Sequence, residues 1–416
     1  MMKASDRPLY AIGLMTGTSL DGVDVALVKL SGKGFETQCQ LLHFLSLPLS
    51  ADLKKRIQLA CHNDTSTVAG ICSLNMELGA LYVESVEALL TEVIELQRSL
   101  EGDLEKESLL NELNAFNGKL DFIASHGQTI YHLPPKVAHE SGFTPSTLQI
   151  GDPSALAYHF KTDVYFNFRM MDMVAGGDGA PLVPMTELML YRSSTKNRLL
   201  QNIGGIGNVT IMPKNAGIDD VYAFDTGPGN MMINDAMQKL YGLDYDESGI
   251  VASKGQLIDT LWQTLIAHPY LKIAPPKSTG RELFGKQLTE KLLAEYQNER
   301  AEDLIHTLTR FSAYSIAESY RQFVFPTQVI DEVIVGGGGA YNPELMRYLQ
   351  RELPDICVMR NEDLGISSDA KEAIAFALLG YQTRYRLAGN VPKATGAKMP
   401  VVLGQICPNP FPEDFN

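Results

Sequence analysis

Tyr10 to Met15 is an apolar run, Thr16, Gly17, Thr18, Ser19, Asp21 and Gly22 break it, and Val23, Val25 and Leu27 resume at period two. This pattern predicts a buried strand, a tight polar turn and a second strand with one buried face. Gln38 to Leu49 reads as a third strand. Ser66 to Arg98 reads as a helix, because Leu74, Leu78 and Leu81, then Val86, Leu89, Leu90, Val93 and Ile94, recur at helical spacing. The charged run Glu101 to Glu107 is expected to be a solvated insertion. Leu120 to Ser125 predicts a strand running into His126-Gly127-Gln128-Thr129, and Leu148 to Asp152 a short segment ending in a Gly-Asp-Pro turn. A helix is expected from Ala155 and a strand over Asp163 to Phe168.

The second half repeats the theme. Gln201 to Thr210 is again strand, glycine turn and strand, and Val221 to Phe224 leads through Asp225-Thr226-Gly227-Pro228-Gly229-Asn230 into a helix over Met231 to Tyr241. Ala301 to Val324 predicts a long helix, Glu332 to Val335 a strand ending in Gly336-Gly337-Gly338-Gly339, and Pro343 the start of another helix. Asp369 to Tyr385 predicts a last helix, and Pro392 to Asn416 a tail with one strand at Val401 to Leu403. Two domains are expected, residues 1–190 and residues 191–416.

Composition narrows the class. At 416 residues and 45% hydrophobic content, two sizeable cores are affordable. A net charge of −14 argues against nucleic-acid binding. No apolar run is long enough to span a bilayer, and the polar start, Met1 to Leu9, lacks a signal-peptide core. The five cysteines lie far apart with no CxxC, which fits a reducing cytoplasm and argues against a disulfide framework and a zinc site.

The turns carry the candidate chemistry. Glycines and small residues allow close backbone approach, Thr18 and Ser19 add hydroxyl donors, and Asp21 and Asp24 add carboxylates. Those are the groups that a nucleoside triphosphate and its Mg²⁺ require. An ordinary hairpin would also use glycine and Asp, but Gly204, Gly205 and Gly207 make a matching turn in the second half. There is no GxxxxGK[ST], so phosphate donors have to come from such turns. Asp21, Asp24 and Asp225 are candidate ligands to Mg²⁺ or its water, against the alternative of capping. Gly336 to Gly339, with Gly337 and Gly338 central, read as a platform for adenosine.

Gly17 to Asp24, His126 to Thr129, Gly176-Gly177-Asp178-Gly179-Ala180-Pro181-Leu182-Val183-Pro184, Asn202 to Gly205 and Asp225 to Asn230 occur in this order. The ordered set resembles the anhydro-N-acetylmuramic acid kinase family of the sugar kinase, actin and heat-shock ATPase superfamily, from the first hairpin to Thr395-Gly396-Ala397. The resemblance implies an α/β chain of two RNase H-like (actin-like ATPase) domains with a nucleotide and sugar cleft between them. It implies a cytoplasmic enzyme of cell-wall recycling that uses ATP and Mg²⁺ to convert 1,6-anhydro-N-acetylmuramic acid to N-acetylmuramic acid 6-phosphate. Gly17, Thr18, Ser19, Leu20, Asp21, Gly22, Val23, Asp24, Gly204, Gly205, Gly207, Asn208, Asp225, Gly227 and Gly229 would serve the nucleotide, with Asp21 and Asp225 toward the metal. Asp172 would be the general base. His126, Gln128, Thr129, Gln149, Asp152, Arg169 and Glu372 would face the sugar, Arg169 pairing with its carboxylate. Where the family pattern reads Gly-Gly-Gln-Gly, this chain has Asp178, a second carboxylate near the expected base. The expected partner is a small amino sugar, without nucleic acid or membrane, and a homodimer stays open. A non-catalytic nucleotide-gated switch and a kinase for another sugar are the alternatives.

Overall fold

The computed structural model describes residues 7–103 and 106–412. Leu104 and Glu105 of the expected charged insertion, the first six residues and the last four lie outside them. Among the described residues the strands are β1 (Leu9–Thr16), β2 (Gly22–Ser31), β3 (Gln38–Pro48), β4 (Phe122–Leu133), β5 (Ser146–Ile150), β6 (Val164–Phe166), β7 (Arg198–Ile203), β8 (Ile206–Met212), β9 (Tyr222–Pro228), β10 (Glu332–Gly336), β11 (Cys357–Arg360) and β12 (Gln405–Cys407). The chain divides into two compact units, Met1–Leu190 with Asp369–Asn416, and Tyr191–Ser368. The second unit thus ends at Ser368, not at residue 416, and the last helix and tail group with the first unit. The tail strand is β12, not Val401 to Leu403, which is irregular.

In the first unit the strand order is β12-β6-β4-β1-β2-β3, with β5 paired to β4. The β1–β2 and β2–β3 pairs are antiparallel, and β4 runs parallel to β1 and β6 to β4. A central strand covered on both faces reads as a continuous apolar run, which is why β1 does. Ile12 and Leu14 share one core with Leu74, Leu78, Tyr82, Val86, Leu89 and Val93 of the helix Val68–Leu100. The helix Lys371–Arg384 packs on β1, β2 and β4. It is buried nearly all round, since Ala373 to Thr383 are all inaccessible. Glycine lets it approach closely: a Cβ on Gly13 would lie 1.9 Å from the Ala373 carbonyl oxygen, and one on Gly380 2.7 Å from the Ala124 Cβ.

The second unit repeats the plan as β11-β10-β7-β8-β9. β7, β8 and β9 are antiparallel neighbours, whereas β10 and β11 continue in parallel. The amphipathic helix Ala301–Phe323 packs Ile316, Ala317 and Tyr320 against Val209, Ile211 and Phe224 of this sheet. Three antiparallel strands followed by parallel ones, in the same order twice, is the RNase H-like arrangement of actin-like ATPases.

Candidate active site

The first turn joins β1 to β2. Leu20 takes φ 60°, and its N–H bonds the Gly17 carbonyl at 3.2 Å. The Leu20 and Val23 side chains are core residues, so each can offer a ligand only its backbone. Thr18, Ser19 and Asp21 are exposed, and a Cβ on Gly17 would meet nothing closer than 3.4 Å. Gly22 has a packing reason, because its Cβ would strike the Leu47 carbonyl oxygen at 2.5 Å. Asp24 accepts from Ser46 Oγ at 2.6 Å. Burial lifts its pKa, and the charges of Asp369 and Asp21 add to that.

Gly204 and Gly205 turn β7 into β8, and their carbonyls accept from the N–H groups of Gly229, Asn230 and Met231 at 2.8–3.0 Å. The turn is thereby tied to the start of the helix Met231–Tyr241. The flank of Gly204 is open, with nothing nearer than 3.7 Å to a Cβ. Gly207, Gly227 and Gly229 are instead packed against Thr226, Ser315 and the Gly204 carbonyl. Asn208 lies in β8 opposite Asn202 and Asp225. The Asp225 carboxylate accepts the Thr279 N–H at 2.9 Å, and burial raises its pKa against the pull of Lys277. Lys277 is itself buried within 4.7 Å of the Tyr270 and Phe323 ring centres, which brings its pKa down to about 8.

Of the four glycines from the end of β10 onward, Gly336 to Gly339, only Gly338 is open, and it lines a cavity of about 450 Å³ with Asn230, Asn234, Tyr245 and Tyr341. That volume suits a nucleoside. The other three are packing glycines: their Cβ atoms would meet Asn361, Asn202 and Ile203 at 2.3–2.6 Å. Tyr245 and Tyr341 are absent from the candidates drawn from sequence, because isolated loop tyrosines carry no periodic signal.

The expected sugar residues gather in the first unit. Between Leu14/Ser125 and Thr16/Gln128 the β1–β4 register slips by one residue, at Gly127 with φ 75°. Such a bulge re-aims side chains. His126 is buried beside Phe376; its Nδ1–H donates to the Gly127 carbonyl at 2.8 Å, and its Nε2 accepts from Arg169 Nε at 2.9 Å. Burial, then the Arg169 charge, brings the imidazole down to about 3, so it is neutral. Arg169 also donates to the Gly179 carbonyl at 2.9 Å; burial lowers its pKa and Glu372 opposes this. Glu372 is exposed in the first turn of its helix. Gln149 Nε2 bonds the hydroxyls of Thr129 and Thr147 at 3.1 and 2.7 Å. The Oε1 atoms of Gln128 and Gln149 are buried without a partner, two acceptors suited to sugar hydroxyl or amide donors. Asp152 is different: it caps the helix Pro153–Phe160 through Ser154 N–H at 2.9 Å, and its other oxygen accepts from Asn75 at 3.3 Å. Capping accounts for it.

Asp172 lies on the short helix Met170–Val174, beyond the end of β6 at Phe166, rather than at a strand end. It is wholly buried. Oδ1 accepts from Asn390 Nδ2 and Thr395 Oγ1, both at 2.7 Å, and Oδ2 accepts from the Gly179 N–H at 2.9 Å. Asp178, on the covering turn, is exposed. His132, outside the sequence candidates, is within electrostatic reach of Arg169 and Asp178, and burial lowers its pKa first. Among the described residues no group of three or more His, Cys, Asp or Glu side chains could hold a metal ion.

Two RNase H-like units, each with an open glycine turn between its first two strands, define an actin-like phosphotransferase fold. Within that class the sequence is decisive. Residues 9–409 match the anhydro-N-acetylmuramic acid kinase family, and the chain belongs to it. It is 47% identical over 400 residues to the anhydro-N-acetylmuramic acid kinase of Bacillus thuringiensis subsp. konkukian (strain 97-27), covering 96% of this chain and 99% of the relative. The Clostridioides difficile (strain 630) protein of the same name is 45% identical over 403 residues, with 97% and 99% covered. That of Francisella tularensis subsp. novicida (strain U112) is 48% identical over 401 residues, with 95% and 98% covered. Among solved structures, the activator of 2-hydroxyisocaproyl-CoA dehydratase from Clostridium difficile with bound ADPNP aligns at TM-score 0.39 and 11% identity, over 91% of this chain and 98% of that one.

Proposed function

We propose that this chain uses ATP and water to convert 1,6-anhydro-N-acetylmuramic acid to N-acetylmuramic acid 6-phosphate, with Asp172 as the general base. The observation that carries the reading is the Asp172 carboxylate. It is wholly buried, held by three uncharged donors, and has one lone pair of Oδ2 left over.

In the anhydro sugar, O6 is bonded to C1 and has no proton, so it cannot attack phosphorus as a hydroxyl would. Water adds to C1 while Oδ2 of Asp172 takes one of its protons. The C1–O6 bond breaks with its electron pair going to O6. O6 bonds the γ-phosphorus, and the bond from phosphorus to the departing ADP breaks. The proton on Asp172 returns to solvent after the product leaves. No acid is needed for O6, because phosphorus takes the place of a proton.

Arg169, oriented by neutral His126, suits the lactyl carboxylate of the sugar. The orphaned oxygens of Gln128 and Gln149 suit its hydroxyl and amide donors. The open flanks of Gly17 and Gly204 fit close approach of phosphate oxygens, and the cavity at Gly338 fits the nucleoside. Asp21 and Asp24 of the first unit, and Asp225 of the second, each suit the water shell of a hydrated Mg²⁺. Bound there, Mg²⁺ would neutralise phosphate charge.

The test is Asp172→Asn, with ADP release and sugar product followed together and the nascent anomer read by NMR. Ring opening and ATP use are expected to fall together by about 10²–10⁴-fold. The wild type is expected to yield the α anomer first, because water attacks opposite the bridging oxygen. Near-normal turnover in the variant, or an early β product, rejects the mechanism.

A further inference from the structure

The base has a clamp that the reaction scheme does not use. Asn390 and Thr395 are 0% and 1% exposed, and both lie past the helix Lys371–Arg384, with Thr395 closing the short helix Pro392–Thr395, 218 and 223 residues from Asp172. Their own bonding sets which atom each presents. Asn390 Oδ1 accepts the Val401 N–H at 2.8 Å, which turns its amide nitrogen toward Asp172. Thr395 Oγ1 accepts the Ala397 N–H at 3.4 Å, which leaves its hydroxyl proton for Asp172 Oδ1. The Thr395 carbonyl also takes the Asp178 N–H at 2.7 Å, and the Ala175 carbonyl takes the Lys398 N–H at 2.9 Å. The tail is therefore laced to both ends of the turn that covers the carboxylate.

We infer that Asn390 and Thr395 are positioning residues that saturate Oδ1 of Asp172, fix the plane of the carboxylate and leave Oδ2 as its one basic oxygen. The inference rests on the reading of Asp172 as the base. With two donors on Oδ1 and one on Oδ2, a single lone pair remains, and it belongs to Oδ2. That flank is kept clear by glycine: a Cβ on Gly177 would lie 2.3 Å from Oδ2. Hydrogen bonds to a carboxylate favour its charged form. The charged groups nearby are Arg169 at the start of the same short helix, Asp178 on the turn and Lys398 on the tail, whose stem lies along Gly176. None of them bonds the carboxylate, whose three partners are all uncharged.

The experiment compares Thr395→Val, Thr395→Ser and Asp172→Asn with the wild type in full pH profiles of kcat and of the sugar KM. Valine keeps the shape and removes the donor. The acid limb of the kcat profile is expected to move up by about one pH unit in Thr395→Val, the shift due when one hydrogen bond to a charged group is lost. At pH values below that limb, kcat then falls about tenfold, the sugar KM stays put, and Thr395→Ser restores the wild-type limb. Should Thr395→Val not fold, Thr395→Ala carries the same readouts without added bulk. An unmoved acid limb, or a loss of kcat matched by a rise in KM that serine does not rescue, overturns the clamp. Full turnover in Asp172→Asn instead overturns the base assignment. An inactive Asp172→Asn beside an unmoved limb in Thr395→Val overturns the clamp alone.

Discussion

His126 illustrates how a residue type narrows to a role only through its partners. A buried imidazole that donates from Nδ1 to a carbonyl and accepts at Nε2 from a guanidinium has no room for a second proton. Its folded-state pKa of about 3 lies below the ordinary value of 6.5, so between those values the unfolded chain binds more protons than the folded one. Stability from this group is thus complete above pH 6.5 and is lost as pH falls toward 3. The expected outcome is that His126→Gln flattens this part of the acid-unfolding profile, measured by denaturant titration at a series of pH values. An unchanged slope in that window would mean that the imidazole is not held neutral.

At the scale of elements, the helix Lys371–Arg384 and the bulge in β4 carry residues proposed to face the sugar. The helix presents Glu372 because its next residue, Ala373, rests its carbonyl against Gly13 of β1. Gly13→Ala would drive a methyl group into that carbonyl, at 1.9 Å, and neither backbone can yield without moving the helix. Overpacking of this kind costs about 1–3 kcal/mol. The variant is expected to unfold earlier in denaturant by about that amount and to lose activity through displacement of Glu372. Wild-type stability would show that the helix does not depend on the glycine contact.

At the scale of the molecule, the two units differ in how the chain builds them. The second is continuous, Tyr191–Ser368, with its own five-stranded sheet and cores. The first is discontinuous and takes β12 and the helix Lys371–Arg384 from the chain's end. A fragment of residues 191–368 is expected to fold alone and unfold cooperatively. A fragment of residues 1–190 would leave β1 and β4 uncovered where that helix packs, and is expected to bind a hydrophobic dye or aggregate. Circular dichroism and dye binding on the two fragments check this, and a soluble, cooperatively folding 1–190 fragment would contradict it. Among the described residues no helix is long and apolar enough to cross a membrane.

Local patterns alone determined the two strand–turn–strand hairpins and the long helices. Period two, period 3.6 and glycine turns are written within a few residues of where they act. The ordered motifs also carried the family, because each motif is one short continuous stretch of the sequence. Tertiary structure decided which glycines lie open and which pack. Gly17 and Gly22, or Gly204 and Gly207, look alike in sequence, and only the neighbour met by a Cβ separates them. It also decided that Asp152 is a cap tied to Asn75, that the tail returns to the first unit, and that Asn390 and Thr395 close on Asp172. Hydrogen-bond partners across more than 200 residues leave no periodic trace, because the chain meets itself there only once the tail has packed back onto the first unit.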